Sequence, residues 1–447
     1  MDEARPPINV LVSDSYTEKA KTSYNVGDGL LLSFSGKDQN LHDDLARIEA
    51  TVGSKVEPLI LDLYRIALVV YVWDIRTPRS STPRHLHALI SVSNKDKWDA
   101  VKSHLEATLE FLTGDAFTFH FVHGIKSGVG FSFKPGKADR CVVLFSGGLD
   151  SLAGVKWALD KGLNPVLISH PGAAIISDSQ RKIVAALDKI RGDNLVWHQI
   201  RATPERGKDL RGQTPTQFSR SFLYLAIGTI FALKLGLEKL FICENGVLAL
   251  NIPLTQARIY DSTKTVHPIF LKKYQELLNA VFGKKVTVEN PFRDLTKGEV
   301  VDLLNAEGFR DLVPVTISCS EVQRLWHQGV KTANVRHCGV CFPCVIRRIA
   351  IHHAHITTDA RYNNDVEAEY SLVPEAGRKL LFEMAEFARE IDRFSTVDEA
   401  FSEYQEFWVE GRDPSDLFEM TQRQVAQFKQ YVKSKFHSTF RSKLGIG

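Results

Sequence analysis

Residues 142–151 have the sequence Val142-Val143-Leu144-Phe145-Ser146-Gly147-Gly148-Leu149-Asp150-Ser151. The apolar residues predict a short buried strand, and the two adjacent glycines predict a turn that leads into a helix. Glycine permits positive φ angles and lets a ligand approach the backbone closely. Such a turn presents successive backbone N–H groups at the positive end of the helix. We therefore predict an anion-binding loop between a strand and a helix.

The polar side chains of this loop favour the triphosphate of a nucleotide, and we predict ATP. Ser146 and Ser151 offer hydroxyl donors to phosphate oxygens. Asp150 would repel phosphate unless a cation lay between them, which suggests Mg²⁺ bound by carboxylate and phosphate together. The loop is not a Walker A loop, because no Gly-Lys-Ser/Thr follows it. The alternative interpretation is a tight turn with a serine or aspartate helix cap.

The pattern around the loop predicts an α/β fold. From residue 140 onward, predicted strands alternate with predicted helices, which is typical of a parallel sheet covered by helices on both faces. The predicted strands are residues 141–145, 166–169, 240–243 and 286–289. The predicted helices are residues 152–159, 178–190, 222–235 and 297–307, and Thr296 and Glu299 have the spacing of a capping box at the start of the last one. We assign this domain to residues 140–355.

The two flanking segments have different patterns. Residues 1–135 contain one helical pattern, at 96–112, and several runs typical of strands, at 8–12, 30–35, 67–73, 87–91 and 117–122. They predict an N-terminal β-rich module. Residues 356–447 carry amphipathic spacing at 375–392, 397–410 and 416–436, which predicts a C-terminal helical extension. Neither segment has a catalytic motif, so we expect a folding or partner-docking role for each.

The composition excludes some classes of protein and leaves others open. Hydrophobic residues make up 44% and charged residues 24% of the 447 residues, so two or three domains can each have a packed core. The net charge of +3 neither requires nor excludes a nucleic-acid partner. The most apolar run, residues 222–233, is shorter than the ~20 residues of a transmembrane helix. The acidic N-terminus does not predict a secretory signal, and we expect a cytoplasmic protein.

A group of cysteines predicts a metal site. Cys338, Cys341 and Cys344 form two overlapping Cys-x-x-Cys pairs, and Cys319 lies upstream. Four thiolates complete a tetrahedral structural Zn²⁺ site with no open position. An iron–sulfur cluster and a redox-active cysteine pair are the alternatives. His327 or His337 could also replace a cysteine as ligand, although we expect satisfied surface histidines there. We predict zinc bound by these four cysteines.

The loop and the cysteines together resemble a known family. The hexapeptide at residues 146–151 resembles the signature of the PP-loop ATP pyrophosphatases, which cleave ATP between its α- and β-phosphates. With the cysteines, residues 140–351 resemble the 7-cyano-7-deazaguanine synthase (QueC) family. That family folds as a PP-loop α/β sheet and carries one structural zinc. It adenylates 7-carboxy-7-deazaguanine, and ammonia then displaces AMP to give an amide and finally a nitrile.

This resemblance implies roles for individual residues. The nucleotide would contact Ser146, Gly147, Gly148, Leu149, Asp150, Ser151, Glu244, Asn245 and Gly246. The last three follow the carboxyl end of a predicted strand, where open α/β sheets bind ligands. Catalysis would depend on Asp150, Arg220 and Lys297, through positioning and neutralisation of developing negative charge rather than through a nucleophilic side chain.

The two extra modules distinguish this chain from the compact synthase. With these modules, the chain resembles the enlarged QueC-like proteins of bacterial anti-phage defence operons, including the Qat system. The resemblance implies a deazapurine carboxylate as substrate and a protein partner from the same operon. An amine of that partner could then attack the adenylate in place of ammonia.

Two other functions fit the same sequence. A PP-loop enzyme of tRNA thiolation also begins with adenylation, and the basic stretch at residues 201–220 could contact RNA, although we expect a solvated loop there. A nucleotide-sensing scaffold would bind ATP without catalysis, but the presence of Asp150 and both serines argues against it.

Overall fold

The structure is a computed structural model that describes residues 8–13, 26–34, 39–79, 83–124, 132–192, 195–204, 218–252, 264–322 and 335–447. Within these ranges, no helix combines the length and the apolar character that a membrane span requires.

The N-terminal module is a parallel sheet with helices. Its strands are β1 (Ile8–Ser13), β2 (Val26–Ser33), β3 (Leu41–His42), β4 (His85–Val92) and β5 (Ala116–His123). Its helices are α1 (Leu45–Val52), α2 (Pro58–Arg76) and α3 (Lys95–Thr113). Strands β2, β1, β4 and β5 pair in that order, all parallel.

The strand predicted at residues 67–73 is wrong, because these residues lie inside α2. All seven side chains are buried, with at most 9% of their surface exposed. A helix buried on every side is apolar all round and therefore loses its amphipathic spacing. A short apolar run then cannot be told from a buried strand by its pattern.

The central domain has the predicted parallel sheet. Its strands are β6 (Arg140–Leu144), β7 (Asn164–Ser169), β8 (Val196–Gln199), β9 (Thr203–Pro204), β10 (Lys239–Phe241) and β11 (Thr287–Glu289). Its helices are α4 (Leu149–Asp160), α5 (Ala174–Arg191), α6 (Arg220–Leu235), α7 (Gly246–Ala249), α8 (Pro268–Phe282) and α9 (Lys297–Asp302). Five strands pair in parallel in the order β11-β10-β6-β7-β8, so the chain reverses its direction across the sheet between β6 and β10. The short strand β9 pairs with β3 of the N-terminal module.

The C-terminal part is mainly helical, as predicted. Before residue 356 the chain forms a 3₁₀ helix at Arg310–Val315, β12 (Val335–His337) and α10 (Phe342–His353). Residues 356–447 then contain β13 (Arg361–Tyr362), α11 (Glu375–Arg393), α12 (Val397–Phe401), a 3₁₀ helix at Gln405–Phe407, α13 (Pro414–Lys435) and α14 (Ser438–Leu444). The single helix predicted at residues 397–410 is wrong, because α12 stops after five residues. Tertiary packing overrides the helical spacing there. The ring of Tyr404 meets that of Phe387 edge-on at 5.6 Å, and the ring of Phe407 meets that of Phe418 at 5.5 Å.

Shared cores join the flanking modules to the central domain. One apolar core runs from the N-terminal sheet through α2 to α6 and α8 on one side of the central sheet. A second core joins α7 and α10 to the C-terminal helices. The predicted boundaries at residues 135, 140 and 355 stay predictions, since the packing is continuous across them.

Candidate active site

The glycine loop lies between β6 and α4. Gly147 has a φ of +84°, in the left-handed region, and a Cβ added there would lie 2.9 Å from Cγ of Gln180. The amide Nε2 of Gln180 donates a hydrogen bond to the carbonyl oxygen of Ser146 at 2.9 Å. Both the backbone conformation and the contact with Gln180 therefore require glycine at position 147.

The two loop hydroxyls bind the loop's own backbone. The Oγ of Ser151 accepts the N–H of Gly147 at 3.1 Å and donates to the carbonyl oxygen of Gly148 at 3.0 Å. The Oγ of Ser146 accepts the N–H of Gly148 at 3.3 Å and lies 3.1 Å from the Oγ of Ser151. Ser151 is buried and Ser146 is exposed. Ser151 thus shapes the loop, whereas Ser146 is open to solvent.

A buried ion pair connects the loop to the start of α9. The Nζ of Lys297 lies 2.6 Å from Oδ2 of Asp150, and both residues are buried. The Nδ2 of Asn245 donates to the same carboxylate oxygen at 3.3 Å. Burial opposes ionisation of Asp150, but Lys297 and the hydrogen bonds outweigh it and hold the pKa of Asp150 below its ordinary value of 3.8. The other oxygen, Oδ1, is buried without a hydrogen-bond partner in the described part of the chain.

The segment after β10 lies beside this ion pair. Asn245 is fully buried, and its Oδ1 accepts the N–H of Leu248 at 3.1 Å and so caps α7. Its Nδ2 also donates to Oε1 of Glu244 at 3.2 Å. The Nδ2 of Asn290 donates to the carbonyl oxygen of Glu244 at 2.7 Å. Glu244 and Asn245 therefore face the glycine loop where the strand order reverses, which is the usual ligand position in such sheets.

Gly246 has a packing role in the structure. A Cβ at this position would lie 2.3 Å from the carbonyl oxygen of Arg293 and 2.5 Å from Sδ of Met420. The glycine therefore allows α13, which carries Met420, to pack closely against the segment after β10. Its predicted contact with nucleotide stays a prediction.

Residues of α13 also hold the start of α9. The predicted capping box is present, with Thr296 accepting the N–H of Glu299 at 3.2 Å. The Oε1 of Gln424 accepts the N–H of Lys297 at 3.2 Å, and the Nε2 of Gln427 donates to Oγ1 of Thr296 at 2.7 Å. The C-terminal extension thus fixes the backbone that carries Lys297.

Arg220 lies on the β7 side of the loop. It is the first residue of α6 and is exposed, and its guanidinium group lies 5.2 Å from the ring centre of Tyr224. His170 directly follows β7, and its ring lies 5.3 Å from that of Tyr224. Burial lowers the pKa of His170 to about 4, with a contribution from the positive charge of Arg220, so this imidazole is neutral at physiological pH. Most of the basic stretch at residues 201–220 lies outside the described residues.

The four predicted cysteines form one compact group. Their sulfur atoms all lie within 4.8 Å of one another, with separations of 3.3 Å for Cys341–Cys344 and 3.9 Å for Cys341–Cys319. A tetrahedral zinc site with Zn–S bonds of ~2.3 Å places sulfurs about 3.8 Å apart. The N–H of Cys338 donates to Sγ of Cys319 at 3.3 Å. Hydrogen bonds among the four thiols lower the pKa of Cys338 and Cys341 and raise the pKa of Cys319 and Cys344.

The cysteine cluster is joined to the glycine loop. The N–H of Ile317, two residues before Cys319, donates to the carbonyl oxygen of Gly147 at 3.1 Å. Arg347 is fully buried in α10 and donates to Oγ1 of Thr316 at 2.7 Å. Its guanidinium group also pairs with Asp359 at 2.6 Å. The cluster therefore supports the segment that lies against the back of the loop.

These features define a class of protein. A glycine loop after the first strand of a parallel sheet, beside the point where strand order reverses, is typical of α/β nucleotide-binding proteins. The comparisons with known proteins then give the family. Residues 176–355 match the family described as "Queuosine biosynthesis protein QueC". This stretch is therefore similar to the QueC family, to which the sequence motifs predicted a resemblance.

Known relatives match about half of the chain. The 7-cyano-7-deazaguanine synthase of Myxococcus xanthus is 26% identical over 247 residues, which are 50% of this chain and 97% of the relative. Those of Azoarcus sp. and Polynucleobacter asymbioticus are 26% and 25% identical and are covered over 96% and 91% of their lengths. At the level of the family, these matches confirm the predicted ATP-dependent enzyme of the PP-loop type. About half of the chain lies outside them.

The buried ion pair makes a prediction about stability. Replacing Lys297 by Met leaves the Asp150 carboxylate buried without its cation, so the Asp150 pKa should rise above 3.8. In the wild type, the ionised Asp150 carboxylate stabilises the folded protein above pH 3.8, and this stabilisation is lost as the pH falls below 3.8. In Lys297→Met the folded protein instead tolerates only the neutral Asp150 carboxyl, so stability is lost as the pH rises through the raised pKa of Asp150. The variant's deficit in the free energy of unfolding should therefore grow from about pH 4 upward and reach about 3–5 kcal/mol near pH 7.

Urea denaturation across this pH range measures the deficit. The matched control is Lys156→Met, which removes a lysine from the more exposed Lys156–Asp160 pair of α4 and should cost about 0.5 kcal/mol or less at any pH. A pH-independent deficit in Lys297→Met, or one that persists unchanged in an Asp150→Asn background, would contradict the prediction.

Proposed function

We propose that this protein uses ATP to adenylate 7-carboxy-7-deazaguanine and then transfers the acyl group to an amine. The observation that carries the proposal is the convergence of Gly147, Asp150, Asn245 and Lys297 at the carboxyl edge of the sheet. The family match and the names of the relatives support the substrate. The class of reaction is thus an AMP-forming ligase reaction.

The reaction has two steps. In the first, a carboxylate oxygen of the substrate attacks the α-phosphorus of ATP, the bond to the bridging oxygen breaks, and pyrophosphate leaves. In the second, an amine nitrogen attacks the acyl carbon, AMP leaves with the electron pair of the broken C–O bond, and the nitrogen loses a proton. The acyl-adenylate requires no covalent enzyme intermediate, so the side chains act by position and charge.

Different residues of the site bind different parts of the two substrates. The positive end of α4 and the exposed hydroxyl of Ser146 bind the pyrophosphate part of ATP. Lys297 neutralises charge from the β10 side of the loop, and Arg220 does so from the β7 side. The free Oδ1 of Asp150 fits a hard cation, so Asp150 would hold Mg²⁺, which would offset the charge of the phosphates. Glu244 and Asn245 contact the substrate side of the nucleotide.

The first test is the formation of AMP and pyrophosphate from ATP in the presence of candidate carboxylates. We expect AMP formation with 7-carboxy-7-deazaguanine, and we expect Gly147→Ala to lose most of it, because a side chain there strains a left-handed residue and collides with Gln180.

The matched control is Gly162→Ala. Gly162 also has a positive φ, of +71°, but a Cβ there meets no atom within 4 Å, so this variant carries the backbone strain without the collision. Its AMP formation should stay close to the wild-type rate at a temperature where both variants are folded. Equal losses in both variants, or no AMP from the wild type with any carboxylate, would reject the proposal.

The metal of the cysteine cluster is zinc in this proposal. Four thiol sulfurs at tetrahedral spacing, with no histidine or carboxylate among them, suit a closed structural site. His337 does not replace a cysteine, because its Nε2 accepts the N–H of Ser318 at 3.1 Å. His327 lies outside the described residues. Bound zinc would hold the residue 316–319 segment against the glycine loop.

Elemental analysis should find one zinc per chain in the purified protein. Cys344→Ser should lose the zinc, unfold at a lower temperature and form less AMP, because the support behind Gly147 is lost. Cys141→Ser is the control, since Cys141 is an equally buried cysteine on β6 outside the cluster, and it should keep its zinc. A coloured protein that contains iron and no zinc would overturn the assignment.

The acceptor in this proposal is an amine of a partner protein, with a role in anti-phage defence. The support is the two extra modules, which the relatives lack and which share cores with the catalytic domain. A protein amine, such as a free N-terminus, differs from ammonia because it must be presented at the site by a docked partner.

Intact-mass measurement tests the acceptor. We expect a mass gain on one protein encoded beside this chain after incubation with ATP and 7-carboxy-7-deazaguanine, and none when ATP is omitted. A partner with an acetylated N-terminus is the matched control and should stay unmodified if the N-terminal amine is the acceptor. Normal formation of the nitrile, with no mass gain on any partner, would show that ammonia is the acceptor.

A further inference from the structure

We infer that the N-terminal module positions Arg220, with Asp74 and Ser219 as positioning residues. The inference rests on the proposed function, in which Arg220 meets the nucleotide. Arg220 begins α6 in the central domain, whereas Asp74 lies in the last turn of α2 in the N-terminal module.

A direct contact joins the two elements. The carboxylate oxygen Oδ2 of Asp74 accepts two hydrogen bonds from Ser219, one from its N–H and one from its Oγ–H, both at 2.9 Å. Ser219 is the N-cap residue of α6, and only 1% of its surface is exposed. A carboxylate at a helix start also interacts favourably with the positive end of the helix dipole. Asp74 thus satisfies the donors of the residue that immediately precedes Arg220.

Asp74 itself is held in place. Its Oδ1 lies 2.6 Å from Nη2 of Arg84, and its own carbonyl oxygen accepts a hydrogen bond from Nη1 of Arg84 at 3.0 Å. Arg84 also pairs with Asp115 at 2.6 Å, so the arginine is fixed from two directions. All three residues are at least nine-tenths buried. A buried charge network of this kind fixes geometry, because breaking any pair leaves a charge without a partner.

A second contact holds the residue before Ser219. The guanidinium group of Arg79 lies 4.1 Å from the ring centre of Phe218, and the same group pairs with Asp115 at 2.6 Å. Residues 218 and 219 are therefore both bound by side chains of the N-terminal module. Tyr71, one turn before Asp74 in α2, meets the ring of His170 edge-on at 6.4 Å. The module thus reaches the same side of the loop as Arg220.

The consequence for catalysis follows from the exposure of Arg220. A long, exposed side chain loses much conformational freedom when it binds a phosphate, and an unfixed helix start would add to that loss. Fixing the backbone just before Arg220 limits where its guanidinium group can reach.

The test is a double-mutant cycle between Ser219→Ala and Arg220→Ala, read as kcat and KM for ATP in AMP formation. Ser219→Ala removes one of the two hydrogen bonds to Asp74 and should lower kcat/KM about two- to tenfold. In the Arg220→Ala background the same change should have no further effect, because Ser219 acts through Arg220. Ser221→Ala is the matched control, since the Ser221 hydroxyl is also buried but has no hydrogen-bond partner in the described ranges, and it should behave as wild type.

Hydrogen–deuterium exchange provides a second measurement that needs no activity. Backbone amides of residues 218–224 should exchange faster in Ser219→Ala than in the wild type and in Ser221→Ala, while the rest of α6 is unchanged. Unchanged exchange, or an equal loss of kcat/KM in both Arg220 backgrounds, overturns the inference. Faster exchange in a protein that forms no AMP at all would instead reject the proposed function and leave Asp74 and Ser219 as the residues that fix this helix start.

Discussion

The buried ion pair between Asp150 and Lys297 is the interaction on which the site depends. It connects the loop after β6 to the helix after β11, and so it joins the two halves of the sheet across the point where the strand order reverses. Two charges removed from water require close pairing and further hydrogen bonds. Asn245 supplies one of these bonds, and the capping box of α9 fixes the backbone of Lys297. The remaining oxygen of Asp150 has no hydrogen-bond partner in the described ranges.

Three separate parts of the chain support this pair and the loop beside it. Gln424 of the C-terminal extension binds the backbone of Lys297 on one side. Asp74 of the N-terminal module binds the residue before Arg220 on the other side. Behind the loop, Ile317 binds Gly147 and leads directly to the cysteine cluster. Reactive groups that act by position need such surrounding support, because small displacements reduce the rate strongly.

The sequence predicts those features that depend on neighbouring residues and not those that depend on distant ones. The glycine loop, the capping box at Thr296 and the cysteine spacing are local, since each follows from backbone geometry or ligand number within a few positions. Gln424 lies 127 positions from Lys297, and Asp74 lies 145 positions from Ser219. A single buried glutamine or aspartate in an otherwise ordinary helix has no pattern that reveals such a partner. The misassigned strand at residues 67–73 has the same origin, because its burial comes from elements distant in sequence.

The shared cores bear on how a protein amine could reach the adenylate. A domain tethered by a linker moves independently, whereas a module that shares its apolar core with the catalytic sheet is fixed relative to it. The flanking modules can therefore keep a fixed position beside the carboxyl edge of the sheet. Ammonia needs no docking surface as an acceptor, since a small molecule can diffuse to the site from any direction. In the proposed reaction a chain terminus would have to enter in one orientation, and modules fixed beside Lys297 and Arg220 would guide it without a conformational change.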